Sequence, residues 1–221
     1  MLLSAPASAQ ERIIGLLSLP EVFGSRECAP FEPRAVMLHG SANDGNVIAT
    51  IEVDQNWSFA PHGGCGGLEV SVHKGSQHDG LPTREYDYAM PAAVVLEQRD
   101  GWFKIRLHQG SAWLKASVVD RFMPLSELFE EFTGVTEISE AYTGRLAKGP
   151  GVAGGPIMMR VSPSQPVRVV EVRDSWIHVE VLSNSACTAG SDGPPEVISE
   201  GWLPLHDPKG EPTVWFSSRG C

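Results

Sequence analysis

Two segments of the 221-residue chain share one sequence pattern, and this internal repeat constrains the fold more than any other feature. The first copy, residues 95–107, reads VLEQRDGWFKIRL, and the second, residues 169–181, reads VVEVRDSWIHVEV. Glu, Arg, Asp and Trp recur in register without a gap, and a further Trp follows each copy, at Trp113 and at Trp202. Such a repeat predicts two copies of one supersecondary unit.

Apolar and polar residues alternate with a period of two in both copies, which is typical of half-buried antiparallel strands. The residues expected to face inward are Phe103, Ile105 and Leu107 in the first copy and Ile177, Val179 and Val181 in the second. The outer face is expected to carry Trp102, Lys104 and Arg106, and Trp176, His178 and Glu180. Asp-Gly and Asp-Ser before each Trp favour a tight turn. We expect the inward aliphatic residues to build two separate cores.

The repeated pattern resembles the bacterial SH3-like (SH3b) domain, in which a Gly-containing turn precedes a Trp-bearing strand and a Gly-Trp-apolar strand follows. Residues 35–51 and residues 142–159 are similar to the strand-turn-strand feature that comes earlier in that family. The resemblance implies an all-β fold of two SH3-like small barrels in tandem, the first enlarged by a large insertion near residues 54–88. It also implies groove aromatics that recognise short peptides, often from peptidoglycan.

One short helix is expected between the two barrels, because apolar residues recur at i, i+3, i+4 and i+7. These residues are Leu125, Leu128, Phe129 and Phe132, with Gly134 as the stop. Residues 13–23 fit either a strand or a short helix, and a strand is expected within residues 66–74. The predicted divisions are residues 1–9 as a signal-peptide remnant, 10–132 as the first SH3-like domain, 133–139 as the junction and 140–221 as the second SH3-like domain.

The N-terminal residues indicate export. Ala7-Ser8-Ala9 matches the cleavage pattern of a secretory signal, with Gln10 as the first mature residue. The apolar stretch before it is short and has no charged n-region, which indicates a truncated or mis-assigned start; the alternative is a disordered tail. We therefore expect a periplasmic or secreted protein.

The four cysteines also favour an oxidising compartment. None forms a C-x-x-C pair, so a zinc ribbon or a thioredoxin-type motif is not indicated. Pairing Cys28 with Cys65 and Cys187 with Cys221 keeps each bridge inside one predicted domain. The alternative is four free buried thiols in a cytosolic protein.

The formal net charge of −10 opposes binding to nucleic acid and to anionic lipid surfaces. The Arg and Lys residues are scattered along the chain, so the sequence shows no basic patch that would attract polyanionic wall polymers. No stretch approaches the roughly 18 to 20 apolar residues that span a bilayer. We expect no nucleic-acid partner and no membrane insertion.

Two groups of residues in the predicted insertion are candidates for a chemical site, and the alternative for both is ordinary loop residues. Cys65 lies near His62 in a glycine-rich stretch, but a catalytic Cys usually opens a helix, and the flanking glycines do not favour one. A zinc site could draw on His62, His73 and His78 with Asp79, although this spacing fits neither a strand face nor a helix face. No phosphate-binding glycine motif or dinucleotide fingerprint is present. We expect no catalytic residue, no metal and no cofactor.

The aromatic residues on the outer faces are the candidate ligand contacts, because aromatic rings give a large contact area at low entropic cost. The predicted ligand-binding residues are Trp102, Trp176, Lys104 and His178. Trp113 and Trp202 fit framework positions. The expected function is a non-catalytic, exported module of the bacterial cell envelope that binds a cell-wall peptide or an envelope protein. Its alternatives are a structural or inhibitory protein-interaction domain and, more weakly, a Cys/His hydrolase. The oligomeric state is left open.

The cysteine pairing gives a first test. Thiol titration of the denatured, unreduced protein should find no free thiol, and peptide mapping should recover both predicted pairs. Reduction should lower stability by roughly 3 to 4 kcal/mol per bridge, because each closes a loop of about 35 residues. Four titratable thiols would instead support the cytosolic alternative.

Overall fold

The computed structural model describes residues 11–23, 35–53, 70–87, 90–131, 136–151, 159–184 and 195–216. Strands dominate these residues, which confirms the all-β class. The four cysteines predicted to form disulfides (Cys28, Cys65, Cys187 and Cys221) lie outside the described residues, as do residues 1–9.

The N-terminal part of the chain contains ten strands and two short helices in the described residues. In order these are β1 (Gly15–Ser18), α1 (Pro20–Phe23), β2 (Val36–His39), β3 (Val47–Val53), β4 (Val70–Lys74), β5 (Gln77–Gly80), β6 (Thr83–Asp87), β7 (Met90–Arg99), β8 (Trp102–Arg106), β9 (Ser111–Lys115), β10 (Arg121–Pro124) and α2 (Leu125–Glu131). The C-terminal part contributes β11 (Thr136–Ile138), β12 (Gly144–Arg145), β13 (Arg160–Val161), β14 (Pro166–Arg173), β15 (Trp176–Leu182), β16 (Val197–Pro204) and β17 (Val214–Phe216).

The strands β1 to β10 form one ten-stranded sheet. Its order is β10-β1-β7-β8-β9-β2-β3-β4-β5, and β6 pairs with β7. Leu81 and Pro82 connect β5 to β6, which pairs with β7, so the chain returns to β7 through this connection and not through a pairing of β5 with β6. The first core lies against these strands and includes Leu17, Leu38, Ile51, Val72, Val95, Phe103, Ile105 and Leu114.

A second sheet, of five strands in the order β16-β15-β14-β11-β17, holds the second copy of the repeat. The short pair β12-β13 is bound to it by two backbone hydrogen bonds of 2.8 and 2.9 Å between Ala147 and Trp202. The second core lies against this sheet and includes Ile138, Leu146, Val161, Ile177, Val179, Val181, Leu203 and Phe216.

The inward residues of the two copies lie in two separate cores, as expected, but strand β7 is buried on both faces and contributes to both. Its alternation sends Ala93 and Val95 into the first core, whereas Ala92, Val94 and Leu96 belong to the second core. The continuous apolar run of β7 is typical of a strand that is buried on both faces. The period-two alternation of β8 and β15 does not indicate this second buried face.

The two copies of the repeat adopt the same hairpin. Each has a two-residue turn, with Arg99 opposite Trp102 and Arg173 opposite Trp176. The turn residues Asp100 and Asp174 have positive φ, 49° and 53°. A β-bulge interrupts both hairpins at the equivalent place, between residues 95 and 97 and between 169 and 171. The predicted inward residues are buried, except Leu107, which is half-buried against the first core.

The other local predictions have mixed outcomes. Helix α2 confirms the helix expected between the two copies, and residues 13–23 contain both a strand (β1) and a helix (α1). The described part of the predicted insertion, residues 70–87, forms three strands where the sequence indicated one. Residues 185–194, within the second copy's predicted surface loop, lie outside the described residues.

An ion-pair cluster fixes the seam between the two parts of the chain. Glu211 accepts hydrogen bonds from Arg84 on β6 (2.6 Å) and from Arg106 on β8 (2.5 Å), one on each carboxylate oxygen. The Arg84 guanidinium also lies 4.3 Å from the ring centroid of Trp215 on β17. Burial lowers the pKa of Arg84, an effect that Glu211 opposes. The cluster therefore combines two ion pairs and a cation–π contact across the seam.

Backbone contacts close the same seam. Nε2 of His206 hydrogen-bonds the Ile13 carbonyl at 2.6 Å, and the Ile13 amide donates to the Gly210 carbonyl at 3.1 Å. Burial lowers the pKa of His206, opposed in part by this hydrogen bond. Gly210 has a φ of 81°, and a Cβ there would collide with the Glu11 carbonyl oxygen. A glycine is needed here because the backbones approach too closely for a side chain.

Strand β7, which contributes to both cores, gives a second test. Val94→Ala should lower the free energy of unfolding by about 2 kcal/mol, because Val94 is 3% exposed between the two sheets. Native-state hydrogen exchange should show the same loss for amides of β8 and of β15. Val118→Ala, at a fully exposed side chain, is the control and should change little. A loss confined to one sheet would contradict the coupling of the two cores through β7.

Candidate functional site

Trp102 occupies the outer face of β8, as the sequence pattern predicted, and is half-buried. The His39 ring contacts it edge-on, with ring centroids 5.1 Å apart and planes at 87°. Nζ of Lys115, directly across from Trp102 on β9, lies 5.7 Å from the indole ring centroid. The strand order β8-β9-β2 therefore places a histidine and a lysine beside the tryptophan.

A cleft of about 370 Å³ adjoins this aromatic contact, and we call it the His39 cleft. It lies between α1, β2 and the β9–β10 connection. Its apolar wall comes from Val22, Val36, Met37 and Ala116, and its polar lining from Glu21, His39, Lys115, Ser117 and Asp120. The cleft combines an apolar wall with a few converging polar groups, which is typical of ligand sites.

His39 carries the feature that most sets this cleft apart. Its Nδ1 atom is buried and has no hydrogen-bond partner within the described part of the chain. Among the described residues it is the one buried side-chain nitrogen or oxygen in this condition. A buried polar atom without a partner costs free energy, and in native proteins it calls for a specific explanation.

The other polar groups of the cleft are held by local hydrogen bonds. Lys115 donates from Nζ to the Asp100 carbonyl (2.8 Å), which keeps its ammonium near Trp102. Asp120 accepts the Ser117 amide hydrogen at Oδ2 (2.7 Å) and so fixes the turn between β9 and β10. Because these groups are oriented before any ligand arrives, the cleft has a largely preformed shape.

The predicted contact Lys104 lies two residues beyond Trp102 on the outer face of β8. It forms an ion pair with Glu11 and lies opposite Trp113. Trp113 is 7% exposed, and the Arg99 guanidinium lies 5.7 Å from its ring centroid. Lys104 and Trp113 thus take part in contacts that hold the sheet, beside the His39 cleft rather than in its lining.

The second copy places its predicted contacts on a different sheet. His178 stacks on Trp202, with ring centroids 4.8 Å apart and planes at 10°. The Arg173 guanidinium lies 5.2 Å from the Trp202 ring centroid, equivalent to Arg99 over Trp113 in the first copy. Trp202 is 8% exposed, and Trp176 is half-buried opposite Pro204. The structure therefore places Trp102 and Lys104 on one sheet and Trp176 and His178 on the other.

Sequence reasoning did not select the residues that line the His39 cleft. His39 alternates with buried Leu38 in β2, so its outward position was readable from residues 35–51. Its approach to Trp102 depends on the β9–β2 pairing, in which His39 lies opposite Trp113. Residues 74 positions apart in the chain meet there, and no local pattern gives that pairing.

The candidate metal residues are only partly described. His73 and His78 form a cross-strand pair on β4 and β5, with ring centroids 6.2 Å apart. Within the described residues, no three His, Cys, Asp or Glu side chains are grouped so that they could hold a metal ion. His62 and the candidate nucleophile Cys65 lie outside the described residues.

Comparison of the chain with protein-family models, with curated proteins and with solved structures found no significant match. In the described part of the chain, no helix has the length and apolar character needed to cross a membrane.

The unpartnered nitrogen gives a third test. His39→Phe should raise the free energy of unfolding by about 1 to 2 kcal/mol, because it removes a buried polar atom and keeps a ring against Trp102. Urea denaturation of the ligand-free protein measures this change. His108→Phe, at an exposed histidine, is the control and should stay within about 0.5 kcal/mol of the parent. A destabilised His39→Phe protein would show that this histidine serves the fold.

Proposed function

We propose that this protein is a non-catalytic binding module that holds a short, extended peptide in the His39 cleft, beside Trp102. The observation that carries the proposal is a preformed cleft in which an apolar wall meets His39 and Lys115, the two side chains that contact the half-buried Trp102. A peptide can supply backbone N–H and C=O groups to the polar side chains of this lining.

The dimensions and lining of the cleft fit a peptide of a few residues. Its volume of about 370 Å³ is at the low end of the range for ligand sites. Met37, which is 59% exposed, offers an adaptable apolar contact in the lining, and Trp102 lies beside the cleft, in contact with His39 and Lys115. The polar lining can orient a bound peptide, because Lys115 and Asp120 are already fixed by their own hydrogen bonds.

The cell envelope is the compartment that we propose for this activity, and a peptidoglycan stem peptide is the ligand that we favour. The secretory-type N-terminus and the resemblance of the repeat to SH3b domains support this choice. A tandem of SH3-like barrels is part of the same proposal. It is supported by the matching turns, bulges and Arg–Trp contacts of the two hairpins.

A second candidate function is that of a structural or inhibitory partner of another envelope protein. The observation that favours it is a group of exposed apolar side chains next to the cleft. Met37 lines the cleft, and Val118 and Val119 lie in the turn between Ser117 and Asp120, which also line it. Exposed apolar residues grouped in this way are typical of protein interaction sites.

Peptide binding gives a fourth test. Trp102→Ala should weaken binding of a purified stem peptide by about tenfold to thirtyfold, as loss of an aromatic anchor does. Tryptophan fluorescence titration and retention on purified peptidoglycan measure the change. Trp176→Ala removes the equivalent ring of the second copy, which is remote from the cleft, and should bind within about twofold of the parent.

Three outcomes of peptide binding and of affinity capture separate the candidate functions. A parent protein that peptidoglycan does not retain, and that no stem peptide titrates, would reject the peptide-binding proposal. Affinity capture of one envelope protein by the parent, abolished in Met37→Asp, would favour the partner-protein function instead. Equal losses in Trp102→Ala and Trp176→Ala would place the ligand on both copies, as the sequence predicted.

A further inference from the structure

Two arginines face each other without a carboxylate between them on the hairpin β12-β13. Arg145 and Arg160 are directly opposite in the antiparallel register and are both exposed. Opposite positions in such a pair put Cβ atoms about 4.5 to 5.5 Å apart, and like charges placed there repel each other. The register therefore places the two cationic side chains side by side on one face of the hairpin.

The hairpin is anchored, so the two arginines cannot relieve this repulsion by moving their strands apart. Their neighbours Leu146 and Val161 are buried in the second core, at 1% and 3% exposure. Gly144 has no room for a side chain, since a Cβ there would collide with the Tyr142 ring. Burial by packing on the other face thus fixes the register that brings the arginines together.

No acidic residue on the hairpin can neutralise the pair. Residues 144–161 contain no Asp or Glu, and their one other charged residue is Lys148. Elsewhere in the described residues, six arginines each pair with a carboxylate: Arg84, Arg99, Arg106, Arg121, Arg168 and Arg173. Arg145 and Arg160 form no such pair among the described residues, in a protein with 27 acidic and 17 basic residues.

We propose that Arg145 and Arg160 form a binding site for a phosphate group. A cleft of about 600 Å³ lies at this hairpin and is lined by Thr143, Gly144, Arg145, Arg160, Val161 and Ser162. Each guanidinium offers several N–H donors in a planar fork, and the Thr143 and Ser162 hydroxyls add further donors. A phosphate has more acceptor oxygens than a carboxylate, so it can engage both forks at once.

This site is independent of the His39 cleft and of the peptide proposal. It also supplies the basic patch that the linear sequence does not show. The two arginines are 15 positions apart in the chain, and only the pairing of β12 with β13 brings them together. A local positive pair can bind an anion on a molecule of net negative charge, because salt screens the charges that lie more than about 10 Å away.

Titration of the full-length protein with inorganic phosphate, at constant ionic strength and followed by amide NMR, tests the proposal. We expect saturable shifts at Gly144, Arg145, Arg160 and Val161. The R145Q/R160Q variant should bind phosphate at least about tenfold more weakly. It should also have a higher melting temperature without phosphate, because the repulsion is gone. R168Q, at an exposed arginine paired with Glu180, is the control and should bind like the parent.

The remaining outcomes identify the source of the phosphate or overturn the site. Tighter binding of dimethyl phosphate than of inorganic phosphate would assign the site to a phosphodiester polymer, and the reverse order would assign it to free phosphate. Shifts that do not saturate, or an R145Q/R160Q variant that binds phosphate like the parent, would overturn the proposal. Acetate that competes as well as phosphate does would overturn the assignment to phosphate. A single R145Q variant, which keeps Arg160, serves if the double variant does not fold.

Discussion

The rest of the structure depends on one strand, β7, which packs apolar side chains on both of its faces. Val95 faces the first core, and Val94 faces the second core together with residues of β14 and β15. A strand buried on both faces cannot shift its register by one residue without exchanging the two sets of side chains. The register of β7 therefore sets the positions of β1, β6 and β8 around it, and through them the placement of the second sheet against the first.

The Glu211 cluster and the Gly210 turn complete this arrangement at the surface. Glu211 joins Arg84 and Arg106 of the first sheet to a loop of the second part of the chain, and Arg84 lies against Trp215. These side chains are about a quarter exposed, so solvent screens the charges and the pairs contribute less than fully buried ones do. Apolar burial along β7 therefore gives most of the stability of the seam. The ion pairs add specific contacts between the two parts of the chain.

Each proposed site includes a polar side chain that has no protein partner in the described part of the chain. At His39 this is the buried Nδ1, and at Arg145 and Arg160 it is the two guanidinium groups, which form no ion pair there. Each condition costs stability. Each persists because buried neighbours hold the backbone in place: Leu38 beside His39, and Leu146 and Val161 beside the arginines. Functional sites are expected where the fold tolerates such a cost.

The sequence by itself determined the local units: the strands of the repeat, their Asp-containing turns, their inward aliphatic residues and helix α2. These depend on side-chain periodicity and turn chemistry, which act over a few residues. Only the tertiary structure decided that β7 serves two cores, that His39 meets Trp102 across β9, and that Arg145 opposes Arg160. Those contacts join residues far apart in the chain. They follow from strand order and register, which are chosen by the burial of apolar faces over the whole molecule and not by any local pattern.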